Sequence, residues 1–117
     1  MAAAFTEANQ RVIDAVADRC AAVKPQAACY EAYGVAGWAA LEATVRHAAA
    51  AGIPVILDAK RGDIGSTAAH YGQMAFGGAP DLDGDPCPGI GADWLTVNGY
   101  LGHDGVEPVL DAGVGPI

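Results

Sequence analysis

Asp58, Lys60 and Asp63 follow closely on one another at the end of an apolar run, Val55-Ile56-Leu57. In an extended strand successive side chains alternate sides, so Asp58 and Lys60 project from the same face, while Gly62 starts the turn that carries Asp63 onward. That spacing sets a cation between two carboxylates and reads as an active site. The competing reading is an ion-pair network, which in an arbitrary α/β domain is the commoner origin of such a set. A lysine on a strand can also act as a Schiff-base nucleophile, but this needs a lowered pKa, and two flanking carboxylates raise it. Borohydride trapping with a carbonyl substrate separates that chemistry from the others.

The match continues past the charged triplet into Ile64-Gly65-Ser66-Thr67 and includes Lys60-Arg61-Gly62. This run resembles the D-x-K-x-x-D-I-[G/P]-x-T signature of the orotidine 5'-phosphate decarboxylases, which catalyse the last step of pyrimidine nucleotide synthesis, and it meets every fixed position. Two further segments resemble the bacterial subgroup that carries K-R-G-D-I. They are Val23-Lys24-Pro25-Gln26 with Tyr30-Glu31-Ala32-Tyr33-Gly34, and Leu95-Thr96-Val97-Asn98-Gly99-Tyr100-Leu101-Gly102. Gly99 departs from the pattern, which has proline there, and glycine loosens the backbone after the strand.

The resemblance implies an α/β fold, a fragment of a (β/α)8 barrel covering roughly strands 2 to 4 with their helices. Such barrels typically need ~250 residues, so the 117 residues are read as one partial-barrel domain. By the same likeness the first strand, with an aspartate near the ribose, and the later half, with a phosphate-gripping arginine loop, are missing. Lys24, Asp58, Lys60 and Asp63 would form an alternating chain of ammonium and carboxylate groups. Lys60 would stabilise the carbanion left by loss of carbon dioxide and then protonate it, with Asp58 facing the substrate carboxylate. Lys24 would hold the ribose and orient Asp58, and Asn98 would bind substrate from the loop after its strand. Asp63 and Thr67 would reach into the neighbouring subunit's site, which implies a homodimer with shared sites.

The resemblance implies no metal and no organic cofactor, and the sequence has none of the usual His or Cys ligand spacings. A related decarboxylase of sugar-acid phosphates shares D-x-K-x-x-D, but Ile64-Gly65-Ser66-Thr67 favours the nucleotide enzyme. A third reading, from another class, is a non-catalytic barrel fragment that keeps the motif but turns nothing over alone.

Positioning these residues falls to alternating helices and strands. Thr6 is a plausible N-cap for a helix over 6–21, with Val12, Ile13, Val16, Ala17 and Cys20 at helical spacing. Residues 22–24 form a short extended run stopped by Pro25, which places Lys24 at a strand end. A second helix spans 35–51, closed by Gly52. Residues 54–58 read as a parallel strand covered on both faces. Ser66 or Thr67 can cap a helix to Phe76, and 77–91 is a loop rich in Gly, Pro and Asp. A third strand covers 93–98, and a final helix 105–112 has Pro108 in its first turn. Alternation at this spacing predicts parallel βα units, with Trp38 and Trp94 in the core and His47 and His70 in surface or packing roles. Three strands leave two open sheet edges, so the segment alone is expected to be unstable or sticky.

The formal charge of −8, with only six Lys and Arg, argues against a nucleic-acid surface, which calls for clustered basic side chains. Arg61 is expected to be solvated and salt-bridging. Cys20, Cys29 and Cys87 suggest neither a disulfide framework nor a zinc site, which fits a reducing cytoplasm. No segment reaches the ~20 apolar residues that span a bilayer, so no membrane partner is expected. The expected partner is a small nucleotide.

Overall fold

The apolar run before Asp58 and the run Trp94-Leu95-Thr96-Val97 pair as parallel strands β1 (Ile56–Arg61) and β2 (Trp94–Val97), with Ile56 opposite Trp94 and Leu57 opposite Leu95. The computed structural model describes residues 1–113. On the other side of β1, residues 23–26 join through two isolated parallel bridges, Val23 with Val55 and Gln26 with Asp58. The expected order of three parallel stretches is present, but the first is not a full strand. Pro25 has no N–H for a ladder, and only its carbonyl takes part, accepting from the Asp58 amide at 3.0 Å.

Parallel neighbours need long crossovers, and helices supply them. Helix α1 (Ala2–Val16) precedes the first stretch, and α2 (Ala27–Glu31) and α3 (Gly34–Ala50) lead from it to β1. Helix α4 (Gly65–Phe76) and the loop after it lead to β2, and α5 (His103–Asp111) follows a 3-10 turn, Gly99–Leu101. Helix α1 packs on α3 and α4 on α5. Leu41 and Val45 of α3, Val55, Leu57 and Leu95 of the sheet and Val109 of α5 are fully buried between these layers. No helix among the described residues is long and apolar enough to cross a membrane.

Several boundaries differ from expectation for local reasons. Helix α1 starts at Ala2 instead of Thr6, because alanines extend a helix at little cost. It stops at Val16, whose carbonyl accepts from both the Arg19 and Cys20 amides. Helix α2 was not expected, and its five residues are too few to show a period; the Gln26 side chain caps it by accepting from the Ala28 amide at 3.4 Å. Gly52 closes α3 as expected, with φ of 73°. Helix α4 begins at Gly65 without a side-chain cap, so Ser66 and Thr67 lie inside its first turn. Helix α5 begins at His103, which moves Pro108 into the second turn, where its nitrogen cannot donate to the Asp104 carbonyl. Trp38 and Trp94 are half-buried at the edge of the core, not within it.

The loop after α4 folds back on itself. Cys87 donates to the Ala79 carbonyl at 2.7 Å and Asp81 to the Asp85 carbonyl at 2.8 Å, on either side of a Pro80–Pro86 bridge. The outer helices also hold the two histidines in the expected surface or packing roles: half-buried His47 of α3 lies 2.7 Å from Asp14 of α1, and exposed His70 is 2.6 Å from the Ser66 carbonyl one turn before it.

The crossing of α2 and α3 depends on Gly37. A Cβ there would lie 1.8 Å from the Tyr30 carbonyl oxygen, a backbone atom that cannot swing away. In a helix interior, alanine is otherwise better than glycine by about 1 kcal/mol. Overpacking against backbone costs about 3 kcal/mol, so the clash wins. Gly37→Ala should therefore lower the urea midpoint of unfolding, and an unchanged or raised midpoint would mean that the two helices do not approach so closely.

Candidate active site

The site forms where residues 23–26, β1 and β2 end. Asp58 is its centre: the residue is only 5% exposed, yet its carboxylate meets four donors. Lys24 Nζ and Gln26 Nε2 donate to Oδ2, the latter at 3.1 Å. Lys60 Nζ and Thr96 Oγ1 donate to Oδ1, the latter at 3.0 Å. A carboxylate offers about four lone-pair sites, so this one is saturated, as a buried charge must be to survive desolvation. Lys60 and Asp58 share a face, as strand alternation predicts, and Lys24 reaches them from the neighbouring stretch.

Hydrogen bonding from Lys24, then from Lys60, holds the Asp58 carboxyl far below the usual carboxylate range. Burial pulls the other way and loses, and the Thr96 hydroxyl adds to the lowering. The two lysine side chains are 52% and 65% exposed, so both ammonium groups lean from the buried carboxylate toward the open end of the sheet. One carboxylate between two ammonium groups leaves an excess positive charge at this mouth, against the negative balance of the whole chain. Such a mouth favours an anionic ligand.

The backbone at Lys60 is unusual. Its φ is 51°, the single positive value among non-glycine residues described, and the register of β1 on β2 shifts between Leu57 and Arg61. Irregular pairing of this kind re-aims a side chain at a strand end, and here it turns Lys60 outward.

The expected fourth link is not made within the chain. Among the described residues no Lys or Arg lies in salt-bridge distance of Asp63, whose Oδ1 accepts instead from the Ile64 amide at 2.8 Å. The turn at Gly62 has already carried Asp63 away from the Asp58 face. Thr67 is exposed in the first turn of α4. Asn98 stands at the rim, exposed, and its Oδ1 accepts from the Tyr100 amide at 3.0 Å, capping the 3-10 turn. Its Cβ borders Gly62, where an added methyl would come within 2.8 Å.

Arg61 is not solvated as expected. Its side chain is 24% exposed, pairs with Glu31 of α2, and lies 5.6 Å from the centre of the Tyr71 ring of α4. It ties the strand end to two helices, with the guanidinium over an aromatic face. Thr96 and Gln26 are the participants that sequence reasoning missed. For Thr96 there was a signal, a hydroxyl next to the end of an otherwise apolar strand. For Gln26 the contact is purely tertiary. Among the described residues no three His, Cys, Asp or Glu side chains gather as a metal cage would require.

Residues 3–115 match the orotidine 5'-phosphate decarboxylase / HUMPS family. The chain is 49% identical over 102 residues to the orotidine 5'-phosphate decarboxylase of Natronomonas pharaonis, covering 87% of this chain and 34% of that protein. It is 43% identical over 110 residues to the enzyme of that name from Herpetosiphon aurantiacus, covering 94% and 37%. The solved structure of Leishmania donovani OMP decarboxylase superposes with a TM-score of 0.79 at 39% identity, over 95% of this chain and 40% of that one. The chain thus spans about a third of the length of the curated relatives it matches, and its parallel βα units are an α/β segment of a TIM barrel. In fold and along nearly all of its sequence, the chain belongs to the orotidine 5'-phosphate decarboxylase / HUMPS family.

Proposed function

We propose that this segment carries the reacting centre of an orotidine 5'-phosphate decarboxylase, converting orotidine 5'-phosphate to uridine 5'-phosphate and carbon dioxide in pyrimidine synthesis. The observation that carries the reading is the buried, four-donor Asp58 carboxylate held between two outward-leaning lysines at a strand end. In a parallel barrel the C-terminal strand ends build the site.

The bond from C6 of the orotate ring to its carboxyl carbon breaks, carbon dioxide leaves, and the electron pair stays on C6. No π system is placed to delocalise that pair, so a fixed cation must meet it. Lys60 Nζ is that cation, and its proton then moves to C6, after which solvent reprotonates the amine. Asp58 cannot turn away from the substrate carboxylate, because four donors fix it, and their repulsion is relieved as carbon dioxide departs. Lys24 binds the ribose and completes the clamp on Asp58, and Asn98 contributes from the rim.

Asp63 and Thr67 act across a homodimer interface, completing the partner subunit's site. What supports this is that Asp63 has no cationic partner among the described residues while Thr67 is exposed beside it. The chemistry needs no metal or organic cofactor, and a reducing cytoplasm is the compartment that suits three free cysteines.

The test uses a full-length barrel in which this segment replaces the matching residues of the Natronomonas pharaonis relative. Orotidine 5'-phosphate should yield equal amounts of uridine 5'-phosphate and carbon dioxide without added cofactor. Carbon dioxide from a sugar-acid phosphate but none from the nucleotide would move the segment to the other chemistry of the family.

A further inference from the structure

We propose that Thr96 is a positioning residue, whose single hydroxyl locks the backbone under Lys60 and the carboxylate of Asp58 into one arrangement. Its Oγ1 has three partners: it donates to Asp58 Oδ1 at 3.0 Å and accepts from the amides of Ala59 at 3.1 Å and Lys60 at 3.0 Å. A hydroxyl has one donor and two lone pairs, so every bond it can make is made here.

Consecutive amides of an extended strand point to opposite edges and cannot share an acceptor. They converge on one oxygen only if the backbone leaves the β region, and Lys60 does so, with φ of 51°. That conformation is uncommon for a residue with a side chain and persists only where the surroundings fix it. The ladder does not fix it, because the pairing of β1 with β2 is interrupted between Leu57 and Arg61. It resumes beyond, where the Asn98 amide donates to the Arg61 carbonyl at 2.6 Å. Across the gap, the side chain of Thr96 replaces the missing backbone acceptor. Two converging amides make a small concavity for an acceptor, here filled by the Thr96 hydroxyl. The same hydroxyl then passes its proton side to Asp58. Thr96 thereby couples the direction in which Lys60 leaves the strand to the orientation of the carboxylate that pairs with it. The lowered pKa of Asp58 has the Thr96 bond among its causes, behind those of the two lysines.

The activity readout rests on the decarboxylase reading above; a second readout does not. In the full-length barrel, Thr96→Val keeps the shape and removes the hydroxyl. Its kcat should fall on the order of 10²-fold, the scale of a small misplacement of a reacting group, with KM nearly unchanged. Thr96→Ser should restore most of kcat. The carbon-13 titration of the Asp58 carboxyl should move to higher pH in the valine variant and return in the serine variant, because a donor to the ionised form is lost and regained. A valine variant with wild-type kcat and an unmoved titration overturns the proposal, as does a serine variant as impaired as valine, which would mark a packing role. If Lys60→Ala in the same barrel kept full turnover, the decarboxylase reading would fall, while the Asp58 titration, needing no turnover, would still decide the role of Thr96.

Discussion

Lys60→Ala in the full-length barrel is expected to lower kcat for decarboxylation at least ~10³-fold, since under the proposed function it removes both the charge that meets the carbanion and the proton that quenches it. The fold should survive. The Lys60 side chain is 65% exposed, so its truncation opens no cavity, and alanine meets the same backbone demand at φ of 51° as lysine does. Asp58 keeps Lys24, Gln26 and Thr96. Circular dichroism should stay close to that of the unsubstituted protein, and the urea midpoint should fall only by what the Lys60 bond to Asp58 contributes, while turnover drops. Turnover at the original rate would show that the ammonium group is part of an ion-pair network and nothing more, which is the structural alternative for any strand-end triplet of this kind.

Asp58→Asn acts on the same site from the other side. The carboxamide has the shape of the carboxylate but turns one acceptor oxygen into a donor. Two of the four donors then face a donor, and two ammonium groups share the pocket with no negative charge between them. Turnover should fall on the order of 10²- to 10³-fold, the range for removing one preorganised electrostatic partner. Stability should fall as well, with a pH dependence fixed by the direction of the pKa shift. The lysine hydrogen bonds place the folded-state pKa of Asp58 below its unfolded value of 3.8. The stability that the ionised group contributes is therefore present in full above about pH 4 and is lost as pH falls from there toward the folded-state value. Urea midpoints of the two proteins should be well separated at pH 7 and converge as acid is added below about pH 4. A separation that does not change with pH would mean that the charge of Asp58 contributes nothing to the fold.

That Asp58 and Lys60 would meet was legible from their spacing, which needs no knowledge of the neighbouring elements, whereas the left-handed backbone at Lys60 was not. The helix around Leu41 and Val45 and the stop at Gly52 were legible for a similar reason: period and turn chemistry are local. Thr96 was not, because its role arises only when β2 lies beside β1 with the pairing interrupted between Leu57 and Arg61. Nor was Gln26, which reaches Asp58 across one of the two isolated bridges that flank Pro25. Arg61 was misplaced by the general rule for isolated surface charges; Glu31 and Tyr71, distant in sequence, decide its surroundings. The place of Asp63 was given by the resemblance alone: it has no Lys or Arg partner among the described residues, and the link implied for it runs to the neighbouring subunit.

The left-handed backbone at Lys60 sets stability against activity at one position. A side chain in that conformation costs about 1 to 2 kcal/mol, whereas glycine's extra freedom in the unfolded chain costs about 0.5 to 1 kcal/mol. By that balance a sequence optimised for folding alone would carry glycine at position 60. Any redesign of this barrel for heat tolerance that scores residues by backbone fit will tend to erase the ammonium group that pairs with Asp58 and to which the proposed function assigns the proton transfer.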